Sequence, residues 1–194
     1  MINFYLDSLK GIGEDLSTHF FGSPLLTKKL AKTKFHKEEM FLCQLNFEEL
    51  APFDKEGLLP KQGVLYVFFD VFTRKHTLFY AKSVDDVELV FLDDFNAHFD
   101  NKRYNHPMKV DFSVPSTDEE KGEYCHKLLC PIPESVKDQI YRSDDYVCLM
   151  LCVPELMYDQ GRDYLMKLKE CSCIVIKKKH LLKGKFHKAI TLNY

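Results

Sequence analysis

Gln44 sits inside Met40-Phe41-Leu42-Cys43-Gln44-Leu45-Asn46-Phe47-Glu48-Glu49-Leu50, an otherwise apolar run of strand type. A side-chain amide offers two donors and an acceptor oxygen with two lone pairs. Once buried it must be satisfied, or it costs ~1–3 kcal/mol. Two roles follow. The amide reads a ligand or partner, or it ties its strand to the backbone of a neighbouring loop. Most side-chain hydrogen bonds go to backbone or water. The tie is therefore the first expectation, with the turn Gly22-Ser23-Pro24 as its anchor. Gln44, Gly22, Ser23 and Pro24 are the candidate ligand- or partner-binding residues.

Other residue types could do chemistry, but their spacing argues for blander roles. Cys125-His126 with Cys130, and Cys171 with Cys173, could be assembled on paper into four metal ligands. Structural zinc sites favour C-x₂₋₄-C pairs in turns. Cys171 and Cys173 flank a strand rich in Ile and Val, and Cys148 and Cys152 bracket another, so buried small hydrophobes are the expectation. Cys125 beside His126 is no dyad, because neighbours in a strand point to opposite faces. No G-x-S-x-G, H-E-x-x-H or P-loop pattern occurs. The eight His are scattered beside polar residues and are expected at the surface. Asp85-Asp86, Asp93-Asp94 and Asp144-Asp145 read as solvated turns, and Lys177-Lys178-Lys179 as a solvated strand end. The sequence thus names no catalytic residue, no metal and no cofactor.

Composition narrows the partners. A chain of 194 residues, 45% hydrophobic and 29% charged, is that of an ordinary globular protein. A net charge of −2 gives no footprint for nucleic acid or an anionic membrane. Apolar runs such as Val64–Phe69 are far shorter than the ~20 residues a spanning helix needs. The N-terminus lacks the pattern of a secretory signal, and an odd count of seven Cys fits free thiols in the cytoplasm.

The elements that must position these residues come next. Met40–Leu45 reads as a strand, with Phe41, Cys43 and Leu45 on one face and Leu42 and Gln44 on the other. Asn46 then caps a short helical turn with Glu49 three residues on, stopped before Pro52. Val64–Phe72 is a strand covered on both faces, and Thr73-Arg74-Lys75-His76 turns it into a hairpin with Thr77–Ala81. Val87–Leu92, Tyr146–Val153 and Cys171–Ile176 are further strands. Short helices are expected over Pro133–Tyr141 and Asp159–Lys169, and one turn at Leu181-Leu182 closed by Gly184. Leu9, Ile12, Leu16 and Phe20 have helical spacing, against which Gly11 and Gly13 argue. Residues 27–39 read as an exposed charged loop.

The two halves echo each other. From Gln44 to Tyr66 is 22 positions, and from Cys152 to Ile174 is also 22. The expectation is an α+β, β-rich compact fold of two structurally related halves, an internal duplication of mostly antiparallel strands with short helices. The halves are 1–95 and 124–194, joined by a polar segment 96–123 within one domain. A cleft between them is a candidate pocket.

Three segments also carry a resemblance. "FFGSPLL" at 20–26, "FLCQLNFEELAPF" at 41–53 and "LLPKQGVLYVFFD" at 58–70 resemble the uncharacterised YwqG-like proteins. The closing "CSCIVIKKKHLLKGKF" at 171–186 is similar to that family's C-terminal pattern. The resemblance implies a duplicated β-rich α+β fold and no established activity. Association of some family genes with toxin loci implies an immunity or partner-binding role. Ser23 stands where the family has a second glycine, and Cys152 where the second half should repeat Gln44. The reading is a non-enzymatic protein-binding module. Its rival is a small-molecule binder or enzyme with a pocket between the halves.

Overall fold

The computed structural model describes residues 1–7, 16–32, 39–70, 72–89, 107–112, 126–152 and 172–193. The expected helix at 159–169 lies outside them, as do Leu9, Ile12, Cys125, Cys171, Asp93-Asp94 and most of segment 96–123. Chain contacts group the residues into two compact units. One is the stretch Asp7–Lys109, here the 7–109 unit. The other, the terminal unit, joins Met1–Leu6 to Val110–Tyr194.

β1 (Ile2–Asp7) opens the chain and belongs almost wholly to the terminal unit. The 7–109 unit then runs β2 (His19–Phe20), β3 (Leu25–Thr27), α1 (Lys28–Ala31), β4 (Glu39–Asn46), α2 (Phe47–Leu50), β5 (Val64–Asp70), β6 (Lys75–Ala81) and β7 (Val87–Leu89). It ends in the first residues of β8 (Met108–Asp111). Its antiparallel sheet has the order β8-β2-β4-β5-β6, and β3 and β7 form a separate two-stranded ribbon. β5 is the expected Val- and Phe-rich strand, and every residue from Val64 to Phe69 is buried. Of residues 27–39, expected as a loop, Thr27 ends β3, Lys28–Ala31 form α1 and Glu39 begins β4, while 33–38 lie outside the described residues.

The pairing of β4 with β5 corrects the expected faces. Phe41 lies opposite Phe68 and Cys43 opposite Val67, so Leu42 is bulged out of register. One extra residue shifts every later side chain to the other face. Phe41 therefore shares a face with Gln44 rather than opposing it, and its ring lies 5.7 Å from that of His19, the β2 partner of Gln44. Leu26, Phe41, Tyr66 and Phe68 form a buried cluster on this face.

The terminal unit continues with β9 (His126–Cys130), α3 (Glu134–Lys137), β10 (Tyr146–Cys152), β11 (Ser172–Lys177), α4 (Lys178–Leu181) and β12 (Ile190–Asn193). Its strands order as β12-β11-β10-β9-β1. A core of Cys130, Ile132, Val136, Cys148, Cys173 and Val175 fills it. α4 closes as its sequence foretold. Gly184 takes φ +62°, its amide donates to Leu181 O at 2.8 Å, and the Lys185 amide donates to His180 O at 2.9 Å.

The α+β expectation of two duplicated halves does not stand. Every α-helix among the described residues is one turn of four residues, so the fold is antiparallel β with helical turns as connectors. The 22-residue echo also fails in register. Gln44 lies directly opposite Tyr66, whereas Cys152 lies opposite Ser172 and Ile174 opposite Met150. Equal spacing along the chain thus does not mark equivalent pairs, and no internal duplication is shown.

Candidate functional site

Gln44 is completely buried, and its amide is spent on backbone. Nε2 donates to Ser17 O at 2.9 Å, and Oε1 accepts from the Leu25 amide at 3.3 Å. The tie therefore reaches one residue past the Gly-Ser-Pro turn and back to the residue that precedes Thr18 and β2. Tyr66, the cross-strand partner of Gln44, completes it. Its hydroxyl donates to Leu25 O at 2.6 Å. One peptide segment is thus gripped through both its N–H and its C=O by two side chains standing side by side. Burial pushes the Tyr66 phenol well above its ordinary range, so it stays protonated and remains a donor.

The turn itself is shaped by its backbone. Phe21 and Gly22 have φ of 59° and 71°, and the Phe21 amide donates to Leu42 O, the bulged residue of β4, at 2.9 Å. A methyl added at Gly22 would meet Pro107 Cβ at 2.9 Å. Glycine is thus required twice over, by its dihedral and by the approach of Pro107. Gly22 and Pro24 are buried and Ser23 is half-buried. Gln44 reaches Leu25, the residue that follows this turn, and Ser23 is the most accessible of the four candidates.

A second tie joins the same segment to α2. Asn46 caps α2 as expected, Oδ1 accepting from the Glu48 amide at 3.0 Å. Glu49 does not reach back to Asn46. Its Oε2 accepts from the Thr18 amide at 2.7 Å, while the Asn46 amide donates to Thr18 Oγ1 at 2.9 Å. Thr18 thus stands between the two ends of the reciprocal Glu49–Asn46 bond and satisfies both. Sequence reasoning missed Tyr66 and Thr18. The Tyr66 signal was present in the 22-residue spacing, which measures the Gln44–Tyr66 pairing itself.

The remaining chemical candidates separate. Cys130 and Cys148 are cross-strand partners, and with Cys173 they lie in one apolar core. The Cys148 thiol is pushed up by its hydrogen bonds with Cys130 and Cys173 and then by burial, the opposite of an activated nucleophile. Cys43, Cys130, Cys148, Cys152 and Cys173 are buried, and none of them is in a disulfide. Among the described residues no group of three or more His, Cys, Asp or Glu is arranged to hold a metal ion. Among the described residues surface placement fails for His19, 3% exposed, and His126, 1% exposed. Burial lowers the His126 pKa to about 4, beside the Phe4 ring at 5.2 Å. Asp144 and Asp145, with Lys177, Lys178 and Lys179, line a cleft of about 390 Å³ in the terminal unit. No helix among the described residues is long and apolar enough to cross a membrane.

Residues 18–174 match a family described as a domain of unknown function, DUF1963. The chain belongs to the DUF1963 family. The match takes in Gln44, Tyr66 and the turn they hold, and it includes residues of both units. No curated protein matches this DUF1963 chain.

Proposed function

We propose that this protein is a non-enzymatic protein-binding module, of the partner-recognition or immunity kind that the YwqG-like resemblance suggests. The observation that carries the reading is a surface pair in the terminal unit. Tyr141 is 83% exposed, and the Arg142 guanidinium lies 5.4 Å from the centre of its ring. Arg142 holds φ at 56°, a left-handed value costly for a residue with a side chain. Tyr and Arg are the residue types that dominate binding energy at protein interfaces. A stacked, exposed pair on a strained turn is a ready-made anchor.

Gln44, Gly22, Ser23 and Pro24 enter this reading as the scaffold of the 7–109 unit, with Ser23 as the residue nearest a partner's reach. The free thiols support a cytoplasmic setting. The YwqG-like segments at 20–26, 41–53 and 58–70 all fall inside the matched span, which supports that finer assignment and a single functional domain. The test is capture from the native host, and co-expression with products of neighbouring genes for the immunity version. A stable partner should bind at micromolar concentration and be lost on Tyr141→Ala with Arg142→Ala. A partner held equally well by that double variant would remove the anchor, and no stable partner in either format would sink the reading.

A further inference from the structure

From Lys177 to Asn193 the sequence contains Lys177, Lys178, Lys179, Lys183, Lys185 and Lys188, and no acidic residue. The structure gathers these lysines on the connection from β11 through α4 to β12. Five are exposed and Lys177 is half-buried. Among the described residues none of the six makes an ion pair, although the protein is acidic overall at −2. Lys179, Lys177, Lys185 and Lys188 all help hold the His180 imidazole below its ordinary pKa, after the contribution of desolvation. Those four lysines thus act together on one neighbouring group. A surface that concentrates cations without neutralising them lowers the stability of the fold.

We infer that this lysine connection is a docking surface for an acidic segment of a protein partner. The inference rests on the protein-binding reading and specifies the partner. Three features choose a protein over a nucleic acid or a lipid surface. The cleft beside the lysines is also lined by Asp144 and Asp145, which disfavour an unbroken run of phosphates and favour a segment whose acidic residues are interrupted by neutral ones. The register that sets Tyr146 opposite Lys177 places these carboxylates next to the start of the lysine run. Apolar side chains accompany the charge: Leu182, between Lys179 and Lys183, is 60% exposed, and Tyr141 stands three residues before Asp144. Mixed charge with apolar anchors is the composition of a protein interface. Complementary charge around such a patch speeds encounter and fixes register.

The probe is a fluorescent peptide of alternating glutamate and leucine. Its controls are the lysine-leucine counterpart, single-stranded RNA of similar length and phosphatidylserine vesicles. The full chain should bind the acidic peptide in preference to all three, more weakly as salt rises. The triple variant Lys178→Glu, Lys179→Glu, Lys183→Glu should lose about tenfold or more in affinity, and the triple exchange to Arg should keep it. All three positions are exposed, so the fold should survive, which thermal unfolding checks. Absence of peptide binding, equal binding by the charge-reversed chain, or tighter binding to RNA or vesicles overturns the inference. If a protein captured from the host is held equally by wild-type and charge-reversed chains, this docking surface is wrong while the protein-binding reading stands.

Discussion

The strand pairs β4–β5 and β10–β11 use the same backbone device for different ends. Each is antiparallel, and each carries one bulge, at Leu42 in the first and Leu149 in the second. Two steps past the bulge stands Gln44 in one and Leu151 in the other. Across the ladder, Gln44 faces Tyr66, and Leu151 faces Cys173. In the 7–109 unit the position is polar because a backbone segment lies over it and needs partners. In the terminal unit it is apolar because a core of Cys130, Cys148 and Val175 lies beside it. A bulge therefore sets which face a residue joins, and what covers that face decides its chemistry.

The comparison is broken most directly at Gln44. Gln44→Leu takes the acceptor from the Leu25 amide and one of two donors from Ser17 O, which keeps His19 Nδ1 at 3.0 Å. At ~1–3 kcal/mol for the stranded amide and about 1 kcal/mol for the lost bond, the loss should be about 3 kcal/mol. Leu151→Met keeps volume and apolar character and should cost under about 1.5 kcal/mol. Urea unfolding measures both. Equal costs would mean that Gln44 is mere packing.

Acid should find the terminal unit through His126. Its folded pKa of about 4 lies below the ordinary value of 6.5. The unfolded chain therefore takes up the proton first as pH falls. Stability is intact above pH ~6.5 and is lost as pH falls toward ~4, by about 3 kcal/mol at 1.36 kcal/mol per unit. His126→Phe should flatten that part of the profile. His76 in the 7–109 unit, whose pKa is also lowered by burial, to about 3, should keep its own share. An unchanged profile in the variant would refute the assignment.

Smaller effects sharpen the contrast. Tyr66→Phe removes one bond to Leu25 O and should cost about 1.5 kcal/mol, with hydrogen exchange quickening around Leu25. Cys173→Ala removes only a sulfur from an apolar core and should cost about 1 kcal/mol. If Cys173→Ala proved the more damaging, the thiols would hold more than packing.

The strands themselves were legible, because β-branched and aromatic runs such as Val64–Phe69 state their own structure. Asn46, Pro133 and Gly184 marked real turns for local reasons of capping and dihedral. The bulges were not legible, since no residue at Leu42 or Leu149 announces one. The omission at Leu42 misplaced Phe41. The Gln44 tie could be expected from polarity in an apolar strand. Its exact partners could not, because Ser17 and Thr18 carry no pattern and meet β4 only through tertiary pairing. The lysine connection was visible as charge, but only the fold shows the lysines gathered without ion pairs.

The grip on Leu25 also orders events in time. Its bonds to Gln44 and Tyr66 span 19 and 41 residues of chain. Closing two such loops separately would spend conformational entropy twice. Pairing β4 with β5 first sets the amide and the phenol side by side, and one arrival of the 17–25 segment then closes both. That segment should be among the last parts of its unit to set during folding, and the first to peel away when the native state opens.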